Sequence, residues 1–155
     1  MRQKTIVLSL LCFLFLTARA FAGDTASISV TVSLESVISV SVTPNSWGIN
    51  SISLGSTTPS QTFEATVGNT ATQLEIKGSD ANGGWVIGNS ADSDQFKVNC
   101  TDPALSLLST YQVLDSGIAA YGSKSFGLTY SAPTTDTKGG GVDQSFIISL
   151  KASAP

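Results

Sequence analysis

Residues 26 to 44, ASISVTVSLESVISVSVTP, carry an apolar side chain at every even position up to 42 except Ser36: Ala26, Ile28, Val30, Val32, Leu34, Ile38, Val40 and Val42. The odd positions are almost all Ser or Thr. A period of two makes one face of an extended chain apolar and the other polar, the mark of a half-buried β-strand. Strands usually run 3–10 residues. Residues 26–42, fully extended at about 3.3 Å per residue, would reach roughly 55 Å, longer than a small domain is wide. Either the chain bends and serves two strands, or part of it belongs in a neighbouring molecule. Glu35-Ser36-Val37 interrupts the alternation, so two strands are expected, 26–34 and 37–43. The first is expected to pair within its own domain, with donation to a neighbour as the alternative. Pro44 has no N–H and ends the ladder.

Short alternating runs continue along the chain. Phe63, Ala65 and Val67 alternate in QTFEATV, and Leu74 and Ile76 in TQLEIKG. GGWVIG holds a short strand around Trp85, DQFKVNC another, and LSLLSTYQVL one or two. KSFGLTYSAP and QSFIISLKA close the series, the latter with Phe146, Ile148, Leu150 and Ala152 in phase. The breaks are rich in Gly, Pro, Asn, Asp and Ser, residues that supply turn dihedrals and cap their own backbone. Strands at this spacing, without an amphipathic helical stretch, predict an all-β fold: an immunoglobulin-like antiparallel β-sandwich of about 7–9 strands. No linker divides residues 23–155, which are expected to form a single domain.

The first 22 residues read as a cleaved signal peptide. Arg2 and Lys4 precede an apolar run from Ile6 to Leu16, and Ala20-Phe21-Ala22 supplies the small-x-small cleavage pattern. That run is too short to cross about 30 Å of hydrocarbon as a helix. The expectation is export to the periplasm, the cell surface or the extracellular space, with no integral membrane segment. Without its leader the chain has five Lys and no Arg against eleven carboxylates, a net charge of −6. Nucleic acid is therefore not an expected partner, since its binding rests on Lys and Arg at phosphates. Cys100 alone remains after cleavage, so no intrachain disulfide can form. It shares parity with Phe96 and Val98 and is expected in the core.

The residue types limit the chemistry. There is no histidine, which removes the commonest general base, the Ser-His-Asp and Cys-His arrangements and most zinc or copper sites. No G-x-S-x-G elbow or S-x-x-K pair occurs, and TKGGG (137–141) lacks the spacing of a phosphate loop. The chain reads as a non-enzyme without a cofactor. Asp80 and Asn82 in GSDANGGW, with Asp92 and Asp94 in NSADSDQF, offer oxygen ligands of the kind calcium takes. The same residues also make plain Asx turns. Trp47 and Trp85 could stack on sugar rings as ligand-binding residues, or plug the ends of a sandwich core.

The stretch SVSVTPNSWGINSISLGSTTPSQTFEATVGN, followed by NGGWVIG, QFKVN and the closing QSFIISLKASAP, resembles secreted bacterial immunoglobulin-like surface modules, loosely those of the WxL type. Trp85-Val86-Ile87 stands in place of their Trp-x-Leu element. The resemblance covers most of residues 36–155 and implies an exported sandwich that works by contact. The alternating N-terminal segment is also similar to that of chaperone–usher pilins, whose subunits each donate such a strand to a neighbour. The expected function is a non-catalytic surface or extracellular structural and binding module with a protein or cell-envelope partner. The alternatives are a pilin-like subunit forming homo-oligomers by N-terminal strand exchange, and a carbohydrate-binding module.

Overall fold

A computed structural model describes residues 28–138 and 143–155. The expected signal peptide and the run Gly139–Gly141 of TKGGG lie outside the described residues. The chain divides into two units, Met1–Leu34 and Glu35–Pro155. In the first, residues 28–34 form no strand. Ile28, Val30, Val32 and Leu34 are 90, 76, 73 and 90% exposed. The expectation of a strand over 26–34 that pairs within its own domain is thus corrected for residues 28–34. Alternation specifies that one face should be buried, but not in which molecule.

The described residues of the second unit are all-β and form nine strands: β1 Val40–Thr43, β2 Gln61–Val67, β3 Thr72–Gly78, β4 Val86–Ile87, β5 Gln95–Thr101, β6 Ala104–Ser106, β7 Gln112–Ile118, β8 Ser123–Ser131 and β9 Ile148–Ser153. They build two sheets, one in the order β1-β2-β8-β5-β4 with β6 also paired to β5, the other in the order β7-β3-β9. Most pairs are antiparallel, as a polar-out, apolar-in alternation favours. The exception is β4, which lies parallel to β5 through Val86↔Gln95 and Ile87↔Phe96. β1 stops before Pro44, as expected. It starts later than expected, at Val40, because Glu35–Ser39 are held by the β2–β3 turn rather than by a ladder.

The core lies between the sheets. Phe63, Ala65 and Val67 of β2, Phe96, Val98 and Cys100 of β5, and Phe126, Leu128 and Tyr130 of β8 meet Leu74 and Ile76 of β3 and Leu114 and Ile118 of β7. On β2, β3, β5 and β8 each is the in-phase member of its strand, so parity places it; on β7 the pairing with β3 shifts register twice on the way from Ile118 to Val113. Cys100 is buried, and its thiol donates to the Asp102 carbonyl at 3.5 Å. Burial holds the thiol above its ordinary range. One aromatic group joins Phe96, Tyr130 and Phe146, with centroids 4.7–5.8 Å apart. A second joins Trp47, Phe63 and Phe126 at 5.8–5.9 Å. Among the described residues no helix is long and apolar enough to cross a membrane.

Candidate functional site

The two sheets end beside each other without pairing. Among the described residues β1 is the edge of its sheet, bonded only to β2, and β9 is the edge of the other, bonded only to β3. A groove of about 380 Å³ opens at this seam, lined by Val42, Trp47, Phe63, Phe126, Phe146 and Leu150 among others. The inward residues of the flanking strands, Val40 and Val42 on β1 and Ile148 and Leu150 on β9, are only half-buried although they pack on the core. Elsewhere in-phase residues such as Leu74, Ile76 and Phe96 are fully covered. The seam therefore combines a partly uncovered apolar floor with two strand edges. Such an edge is a template for pairing with another chain.

A second feature sits where the chain enters β1. The β2–β3 turn, Gly68-Asn69-Thr70, grips residues 35–39 by both side chain and backbone. The Val37 N–H donates to Asn69 Oδ1 at 2.7 Å, and Asn69 Nδ2 donates to the Glu35 carbonyl at 3.0 Å. Ser36 Oγ and Thr70 Oγ1 are 2.6 Å apart, and the Gly68 N–H donates to the Ser39 carbonyl at 3.1 Å. The approach at Gly68 is close: a Cβ there would stand 2.6 Å from Ser39 Oγ and from the Val37 carbonyl oxygen. Below, Thr72 is completely buried and donates to the Thr70 carbonyl at 2.8 Å, anchoring the turn.

The residues singled out in the sequence lie apart. Trp47 is half-buried, edge-on to Phe63, and forms part of the groove wall. Trp85 is also half-buried, and its Nε1–H donates to Asp136 at 3.2 Å. Asp80 accepts from the Ile87 N–H at 2.9 Å, Asn82 from the Ser145 N–H at 3.0 Å, and Asp92 from the Ser93 N–H at 2.8 Å. Asp94 accepts from the Thr137 N–H at 2.7 Å and the Thr137 hydroxyl at 2.5 Å, with Lys138 Nζ 3.9 Å away. Those two bonds from Thr137 hold the Asp94 carboxyl below its ordinary range. Each of the four proposed calcium ligands thus has its own loop-building partner. Among the described residues no group of three or more His, Cys, Asp or Glu side chains is placed to hold a metal ion.

No protein-family model matches this chain, and no curated protein matches it. Sequence reasoning singled out Trp47, which lines the groove, but did not reach the groove itself or Asn69. VGNT stood out only as a turn. The partners of Asn69 lie more than thirty positions earlier in the chain, beyond any local pattern.

Proposed function

We propose that the protein is an exported, non-catalytic structural subunit that takes an extended apolar strand into the seam between β1 and β9, and that this strand is the Ile28–Leu34 segment of a second copy. The observation that carries the reading is the open seam, an apolar groove flanked by two sheet edges. Its occupant is argued from the same chain. Ile28, Val30, Val32 and Leu34 share one face of an extended segment and are largely exposed. Seven residues span about 23 Å at ~3.3 Å each, close to the reach of the six-residue β9. Added along the β1 edge, such a strand would satisfy backbone groups there and present its even-numbered side chains to the groove floor. This is strand addition, in which main-chain bonds give affinity and alternate side chains give specificity.

The test is the solution mass of residues 23–155 by light scattering across a dilution series, with Trp47 fluorescence recorded in a Trp85→Phe background. The expected result is concentration-dependent assembly in whole multiples of the protomer, together with a blue shift of Trp47. A chain that stays monomeric throughout, and whose Trp47 ignores an added peptide of residues 27–34, would overturn the reading.

A further inference from the structure

We infer that Asn69, with Thr70, is a positioning clasp that denies the Ile28–Leu34 segment its own groove and so commits it to a second copy. The inference rests on the assembly proposed above and assigns what decides between exchange and self-closure.

Self-closure is stereochemically open to this sequence. In an antiparallel pair, directly opposed residues point to the same face. Leu34 opposite Ile38, Val32 opposite Val40 and Val30 opposite Val42 would put every apolar side chain inward, and the loop would be Glu35-Ser36-Val37. Three-residue hairpin loops are common. The obstacle is that these same three residues are already engaged. Glu35 O accepts from Asn69 Nδ2, Val37 N donates to Asn69 Oδ1, and Ser36 Oγ meets Thr70 Oγ1. The Gly68–Ser39 bond extends the grip to the start of β1, in line with the Val40↔Val67 register. Residues 35–39 are thereby held against the β2–β3 turn ahead of β1. A hairpin through residues 35–37 and an intact clasp are mutually exclusive.

Segment and groove are tethered. Once a turn is permitted, the effective concentration of the segment at its own groove is of the order of millimolar. At about 1 µM chain that favours self-closure over exchange by roughly a thousandfold. The clasp opposes this preference without touching the groove.

Two variants test it, both in residues 23–155 carrying Trp85→Phe. The double substitution Asn69→Ala/Thr70→Ala removes the clasp. A Gly-Ser-Gly-Ser-Gly insertion between Leu34 and Glu35 leaves the clasp intact but supplies a turn ahead of it. Both are expected to be monomers at concentrations where the parent assembles, with Trp47 as shielded from acrylamide as in the assembled parent. If the parent assembles and the variants assemble equally well, the clasp is refuted while the assembly reading stands. Monomeric variants whose Trp47 is freely quenched have not closed on themselves, and also refute it. Should the double substitution unfold the domain, the insertion decides alone. A parent that never assembles refutes the assembly reading, and the clasp with it.

Discussion

Replacing Val32 by Ser tests the proposed strand exchange most directly, because the magnitude follows from one side chain. Val32 is 73% exposed and Ile28, Val30 and Leu34 more so, so nearly all their apolar surface remains to be covered on insertion. Full burial of an aliphatic side chain is worth about 1.5–3 kcal/mol, and the four together about 6–12 kcal/mol. Association costs about 4–15 kcal/mol in lost freedom. The terms are comparable, so one side chain shifts the balance decisively. Val32→Ser is expected to weaken each subunit contact by about 10- to 150-fold, read by light scattering as a rise in the concentration of half-assembly. The control is Thr31→Ala, one residue away but on the opposite face, which is expected to change that concentration little. Equal effects at 31 and 32 would refute the reasoning, since insertion between two sheets cannot treat the faces of a strand alike.

Other outcomes follow from the core and the loops. Ile76 is fully buried on β3, so Ile76→Ala is expected to lower unfolding stability by about 2–5 kcal/mol in urea titration. Ile147→Ala, at a 67% exposed site, is expected to stay within about 0.5 kcal/mol. Burial pushes the Tyr130 hydroxyl up to about 12; the raised value means that stability is intact below the unfolded value of about 10 and is lost as pH rises toward 12. Tyr130→Phe should flatten that alkaline loss, and an unchanged pH profile would count against it. The Asp94 carboxyl is held below 3.8 by Thr137, so its contribution is present above that value and disappears as pH falls through the lower folded one. Thr137→Val should return the Asp94 titration toward 3.8 by NMR, and an unmoved midpoint would show that the hydroxyl does not set it.

Parity was legible wherever a strand had a core to face. Phe63, Leu74, Ile76, Phe96, Val98, Phe126 and Leu128 sit in the core as their alternation requires, because successive side chains of any strand point to opposite faces. The turn-rich breaks likewise fall between strands, and Pro44 follows the last residue of β1. The parallel β4–β5 pair was not legible, since two residues carry no periodicity and the pairing depends on how residues 88–94 turn back. Nor did the Asx residues at 80, 82, 92 and 94 reveal that each has a different partner. Their hydrogen bonds reach residues as far away as Thr137 and Ser145.

Ile28–Leu34 marks where sequence and tertiary structure divide the work. The sequence by itself set the alternation that would give these residues, if extended, one apolar face, because that follows from local side-chain order. It also determined the class of fold, since runs of period two separated by turn residues leave few alternatives to a sandwich. Only the tertiary structure decided that β1 and β9 end side by side unpaired, that Trp47 lies on the wall between them, and that Asn69 holds the residues a hairpin would need. Each of these depends on contacts between segments distant in the chain. Alternation encodes a face and not a partner, so the edges that could receive that face become visible only in the fold.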